Sequence, residues 1–573
     1  MPPDPSDALK AWFLGPRAEN AELLERLVVE SLRDHVFWRR NYHPEDGVVI
    51  RETDKRQPGY EEAVGTLTQE LMGLLAELKR DVPIFSGRYK GHMIGEQTIA
   101  SQVGYVATML YNPNNIASEI APVTTRLELE VAAQLARMIG YDPERHWGHI
   151  TSGGTLANFE ALWLARGVRY LAVAAAGAAD ELGLDLSVTR RSLWELLNVP
   201  GQATLDLWDE LWRAAPRDDV RRAVANHSLA AIGYQEYSRR LALDYGDPLP
   251  AGVVLVAATA HYSWEKIVRA LGIGSNQLIY VPVDAHYRMD PDALWERVRG
   301  LARHRQAVLA CVSVCGSTGI DWPSEAWVHS IEALGQADSV AIDPHKMGYV
   351  PYSAGAILVR DGRARQLVAV DPPYLSPGET GEDETERFLG RYILEGSKPG
   401  ASAAAVWLSH KVLPLDQRGY GYLVERSAVG ARALHAALKA ADLAPFRTVM
   451  LPLPDINIVC WLVAHPALTT LAAVNDLNEG IYRRMSLAGS DRPEYIITRT
   501  RLRSPMYDGA VDPLLAELRV CTPDEWRAAG AAGLVVLRST VMDPFLATTP
   551  SGRNHLSGFV AALGRACRGA LAD

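Results

Sequence analysis

The sequence has no apolar run approaching the roughly 20 residues that cross a bilayer. Its opening, MPPDPSDALKAWFLGPRAEN, is proline-rich and acidic and carries no long apolar core. A secreted or membrane-spanning protein is therefore not expected, and the expected location is cytoplasmic. Cysteine is scarce and odd in number. The five (Cys311, Cys315, Cys460, Cys521, Cys567) are scattered, unlike a disulfide framework. Cys311 and Cys315 share the apolar run AVLACVSVCGS with no second Cys/His pair nearby, so buried thiols are expected there rather than a metal site. There is no Lys/Arg-rich tract, and the net charge of −10 gives no reason to expect nucleic acid or a membrane surface as partner. Internal repeats and low-complexity tracts are missing as well.

What is present suits a compact protein of two or three regions: 573 residues, 48% of them hydrophobic and 22% charged. Apolar residues recur at three and four in AELLERLVVESL and LTQELMGLLAELKR, so residues 1–95 read as a helical N-terminal segment. The run TRLELEVAAQLARMIGY predicts a helix capped at Thr124-Thr125. From Gly148, helices alternate with short apolar strands such as GVVLVAA, LIYVPV, SVAI and GAILVR. That order predicts an α/β domain over residues 96–400, with a mostly parallel sheet covered on both faces. A helical insertion over about 167–248 interrupts it, and the helical spacing of its Trp and Leu residues points to packing or subunit contact. Residues 401–573 read as a smaller α+β domain.

Three motifs carry chemistry. In SVAIDPHKMGYVPYSAG a buried strand ends at Asp343-Pro344, and Lys346 follows, an amine suited to Schiff-base formation when desolvated. In GHITSGGTLAN a glycine turn runs into a helix, where free N–H groups and the helix dipole favour a phosphate. In VVLVAATAHYSWEKI a strand ends at His261, at the edge where open α/β sheets bind ligands and where an imidazole can stack on a flat ring. Phosphate cradle, stacking ring and amine, in that order, describe a pyridoxal 5′-phosphate site.

These residues resemble the group II pyridoxal-phosphate-dependent amino-acid decarboxylases, most closely the bacterial tyrosine decarboxylases. The resemblance rests on TSGGTLANFEALW, HYSWEKI, DPHKMGYVPYSAG and YILEGSKPGASAAAVWLSHKVLPL, with YNPNN and TVMDPF in support. It implies the fold type I, aspartate-aminotransferase-like architecture, a homodimer with active sites at the interface, and an amino-acid substrate. Lys346 would hold the cofactor, and His345 and Thr318 would help bind it. Gly153, Gly154 and Thr155 match the phosphate turn, and His261 matches the stacking histidine. His92 and Tyr352 would contact substrate, and Tyr374, in DPPYLSPGETGEDE, would protonate the product on a mobile loop. Aromatic residues Phe85, Tyr89, Tyr105 and Tyr111 lend weak support to an aromatic substrate.

One departure stands out. The family's ring-nitrogen aspartate, carried on a strand between the GST strand end and the lysine, has no counterpart here. Asp321 is the nearest substitute, but it sits in a DWP turn. Asp343 belongs to the lysine motif and is expected to point elsewhere. The reading is decarboxylation of a tyrosine-like amino acid to amine and carbon dioxide. Its alternatives are decarboxylation coupled to oxidative deamination, giving an aldehyde, and an inactive homologue.

Overall fold

The computed structural model describes residues 8–246, 249, 251–312, 332–370 and 388–572. Cys315, Thr318, Asp321 and Tyr374 lie outside the described residues. The chain divides into two compact units. One is drawn from Met1–Ile99, Arg426–Thr500 and Val535–Asp573, the other from Ala100–Glu425 and Arg501–Leu534.

Among the described residues the second unit holds six strands: β1 (Trp147–Thr151), β2 (Val253–Ala257), β3 (Leu278–Val281), β4 (Val308–Val312), β5 (Ser339–Ile342) and β6 (Gly355–Val359). They form two three-stranded sheets. In the order β3-β2-β4 all neighbours are parallel, and in the order β1-β6-β5 all are antiparallel. β1, β2 and β6 are buried along their whole length, and β2 and β6 accordingly read as apolar runs. The sequence predicted one mostly parallel sheet, and among the described residues the order breaks between β4 and β5. Each of these two strands has a single described neighbour. Cys311 on β4 and Ala341 on β5 are exposed, so Cys311 is not the buried thiol expected. Residues 313–331, between β4 and β5 in the chain, lie outside the described residues.

Helices cover these sheets: α1 (Pro122–Met138), α2 (Gly154–Glu181), α3 (Gly201–Ala214), α4 (Arg217–Asn226), α5 (Ser263–Ala270) and α6 (Gly400–Val412). α1 starts at Pro122 rather than at a threonine cap, because proline's missing N–H costs nothing in a first turn. α2 runs unbroken into the insertion, and the insertion packs on it. Leu211, Val220 and Leu241 join Leu162, Leu171 and Val256 in one core, and Trp208 stacks on Trp212 at 5.5 Å.

A buried polar network ties β1 to its surroundings. Lys398 donates to Glu128, to the Ile150 carbonyl (2.8 Å) and to His149 Nδ1 (3.1 Å). His149 Nε2 in turn lies 2.7 Å from Glu160, which also accepts the N–H of Leu394 at 3.0 Å. Glu128 accepts from Ile150 N (2.9 Å) and Asn115 Nδ2 (2.7 Å). Burial pushes the Glu160 carboxyl up, but His149 and these hydrogen bonds hold it below its ordinary value.

In the first unit a five-stranded sheet runs Tyr89–Lys90, Ile496–Leu502, Leu534–Thr540, Ile458–Ala464, Arg447–Met450. Trp461, Tyr495 and Phe559 pack against it edge to face. Helices Ala21–Tyr42 and Pro58–Leu78 carry large exposed apolar side chains, Phe37 and Leu67 among them. Among the described residues, no helix is long and apolar enough to cross a membrane.

Leu211 is fully buried between α2 and α3. Leu211→Ala is expected to destabilise this unit by about 2–5 kcal/mol through lost burial and a residual cavity. Denaturant unfolding followed by tryptophan fluorescence measures this, and an unchanged midpoint would mean that the insertion is not part of the core.

Candidate active site

β5 delivers the lysine. After Ile342 the backbone turns, with Lys346 N–H donating to the Asp343 carbonyl at 2.9 Å, so residues 343 and 346 project side by side. Lys346 Nζ then lies 2.6 Å from Asp343 Oδ2. Asp343 therefore does not point away from the site, as the sequence had suggested; the turn aims it inward. Its other oxygen, Oδ1, is buried with no hydrogen-bond partner.

The glycine turn meets this motif directly. A methyl group at Gly154 would fall 2.7 Å from Asp343 Oδ2, and one at Gly153 would fall 3.6 Å from His345 Cε1. A methyl at Gly355, on β6, would lie 2.6 Å from the Gly153 backbone, so Gly154 and Gly355 permit the approach. Gly153 and Gly154 begin α2, and Thr155 stands exposed in its first turn. The amide groups there are free to receive an anion.

His345 is buried. Its Nδ1 lies 2.7 Å from the Ala354 carbonyl and so carries the proton, which leaves Nε2 facing Asp343 Oδ1 at 3.8 Å. The Tyr352 ring covers it at 4.3 Å between centroids. Burial lowers the His345 pKa. His261, at the carboxyl end of β2, accepts the Ser263 N–H at 3.2 Å, and Ser263 hydrogen-bonds Asn158 of α2. Burial, then the nearby charge of Lys346, lowers the His261 pKa, so its ring is neutral beside a cation.

Lys346, Asp343, His345, Tyr352, His261 and the Gly153–Thr155 turn thus come together in one unit. His92 belongs to the other. There its Nδ1 lies 2.9 Å from the Tyr89 hydroxyl, and burial lowers its pKa. Of the four aromatic residues noted in the sequence, Phe85 and Tyr89 lie in the first unit and Tyr105 and Tyr111 in the second. Asp343 as the partner of Lys346 was not foreseen, although its spacing of three across a turn was a visible signal. Lys398 sits in the motif GSKPG, but nothing in that motif shows that it is buried.

The residues fit pyridoxal phosphate: an amine, a glycine turn at a helix start, a neutral flat imidazole and a buried carboxylate oxygen without a partner. A family model described as tyrosine decarboxylase, C-terminal, matches residues 438–565. An L-tyrosine decarboxylase of Levilactobacillus brevis is 33% identical, with 94% of this chain and 93% of that protein covered. One of Enterococcus faecalis is 32% identical, with 94% of each covered. The first alignment spans 612 positions against a chain of 573, so that relative has residues with no counterpart here. In fold, the chain is similar to mouse CSAD in apo form (TM-score 0.59, 15% identity, covering 95% of this chain and 99% of that one). It is also similar to Oryza sativa TDC with PLP and tryptamine (TM-score 0.57, 14% identity, 94% and 97% covered).

Two outcomes are expected. Gly154→Val forces the Asp343 carboxylate away from the turn, and the purified protein should retain far less cofactor by absorbance; full retention would remove the turn from the site. Lys346→Ala deletes the cation beside His261, so the histidine pKa should rise toward its ordinary value of about 6.5. Folding would then lose less stability on acidification, because the gap between folded and unfolded pKa narrows. Titration of labelled histidine by NMR checks this, and an unmoved pKa would mean that Lys346 does not act on the ring.

Proposed function

The chain belongs to the L-tyrosine decarboxylase family, and on that footing we propose that it removes the α-carboxyl group of a tyrosine-like aromatic L-amino acid as carbon dioxide, leaving the amine, with pyridoxal 5′-phosphate as cofactor. The observation that carries this reading is the meeting of Lys346 with the Gly153–Gly154 turn and His261. Its support from relatives is that the two L-tyrosine decarboxylases match along nearly the whole chain. When bound, the cofactor supplies an electron-withdrawing ring that takes up the electron pair left by the breaking Cα–carboxylate bond.

The residues divide the remaining work. Lys346 is the amine to which the cofactor attaches, and until then Asp343 holds it at the end of β5. The first-turn amides of α2, with Thr155 and His345, receive the phosphate. His261, being neutral, lies against the cofactor ring without adding positive charge. Tyr352 contacts the substrate, Thr318 assists cofactor binding, and Tyr374 returns a proton to Cα. Aldehyde formation and loss of activity, the other readings open to the sequence, gain no support from relatives whose name is that of a plain decarboxylase.

A homodimer with active sites at the interface and a cytoplasmic location belong to the same proposal. The exposed apolar side chains of helices Ala21–Tyr42 and Pro58–Leu78 support the dimer, because faces of that kind are covered in stable assemblies.

The test is to add pyridoxal phosphate and tyrosine to the purified protein and assay tyramine, the corresponding aldehyde and carbon dioxide. Tyramine and carbon dioxide in equal amounts are expected, and aldehyde as the main product would replace this reading by the oxidative one. Tyr374→Phe is expected to lower kcat at least about 100-fold with little change in KM, as for loss of a positioned proton donor. Unchanged turnover would remove Tyr374 from the reaction.

A further inference from the structure

Gly348 and Tyr349 complete the turn that carries Lys346, and that turn is strained. A methyl group at Gly348 would collide with the Pro344 carbonyl oxygen, so the backbone doubles back on itself there. Tyr349 donates its N–H to the Lys346 carbonyl at 3.1 Å and has a φ of 51°. This is left-handed backbone, which a tyrosine adopts only where its surroundings impose it. Two side chains from elsewhere in the same unit reach the turn. Ser101 Oγ donates to the Tyr349 carbonyl at 3.2 Å, and the Tyr420 hydroxyl donates to the Gly348 carbonyl at 2.7 Å.

Local structure places Tyr420 for that bond. After α6 ends at Val412 the chain turns through LPLDQRG, and the Tyr420 N–H returns to the Pro414 carbonyl at 2.9 Å. The phenol is thereby set against the helix the chain has just left. Its oxygen lies 2.7 Å from Ser409 Oγ, and its ring meets His410 edge to face at 5.6 Å. Tyr420 and Ser409 are both buried. Burial pushes the Tyr420 phenol up, so it keeps the proton it donates. A hydrogen bond shielded from water in this way is strong, and its loss is costly.

We propose that Tyr420 is a positioning residue for Lys346: through the Gly348 carbonyl it holds the turn in the form that keeps the lysine amine beside Asp343 at the glycine turn. The proposal rests on the decarboxylase reading and says what that reaction asks of the backbone. Lys346 must release the cofactor to each substrate and take it back, so its side chain moves while its main chain stays. A displacement of about 1 Å costs on the order of 100-fold in rate. A turn strained at Tyr349 relaxes once one of its ties is cut.

Tyr420→Phe tests this, because it keeps the ring and deletes only the hydroxyl. In the cofactor-free protein, hydrogen exchange of the Lys346 and Tyr349 amides should quicken at least about tenfold while the amides of α6 stay protected. After loading with pyridoxal phosphate, the visible circular dichroism of the bound cofactor should weaken in a variant that thermal melting shows to be folded. A residue that only packs would leave that signal unchanged. Should Tyr420→Phe not fold, Ser409→Ala removes the oxygen set against the phenol and is expected to quicken the same amides at least about threefold. Unchanged exchange in a folded variant, or an unchanged cofactor signal, overturns the proposal. A native protein that takes up no cofactor overturns the decarboxylase reading instead, and the exchange rates still decide whether Tyr420 holds the turn.

Discussion

The whole of the site depends on how closely two backbones approach. Gly355 of β6 lies against Gly153, and Gly154 lies against the Asp343 carboxylate, with no room for a side chain at Gly355 or Gly154. That contact brings the start of α2 to the end of β5, and so brings amide groups for an anion to an amine for a carbonyl carbon. A methyl group at either of those two glycines would separate the two halves of the chemistry. The buried network beneath β1 holds the strand that carries this turn. Lys398, Glu128, His149 and Glu160 are removed from water together, and each meets a partner. Breaking one such group leaves another buried and uncompensated, which makes networks of this kind better at fixing a geometry than at adding stability.

Electrostatics then decide what the site can do. Lys346 is paired with Asp343 rather than free in solvent, and the same carboxylate faces His345. Burial keeps His345 and His261 neutral, so the positive charge of the site is concentrated on the lysine. A neutral imidazole can lie flat against an electron-poor ring without opposing its charge.

Much of the site was legible in the sequence because its parts are local. Lysine after a strand, glycines before a helix and histidine at a strand end are each read within a dozen residues, and the structure brings Lys346, His345, His261 and the glycine turn together. The pairing of Asp343 with Lys346 was not foreseen, although residues three apart across a turn stand side by side. The insertion showed the same limit. Its Trp and Leu spacing pointed to packing, and Leu211, Val220 and Leu241 do join the core of α2, but which distant residues they meet is not written in that spacing.

The sequence by itself determined the class of the domain, the order of its chemical motifs and the family to which they belong, because hydrophobic periodicity and short-range turn chemistry are written residue by residue. Only the tertiary structure decided that the described strands stand as two sheets broken between β4 and β5 and that Lys398 is buried on Glu128. Those outcomes depend on contacts between residues up to 270 apart in the chain. Such contacts form only when the whole unit closes around them, and no local pattern encodes which distant partner will be found.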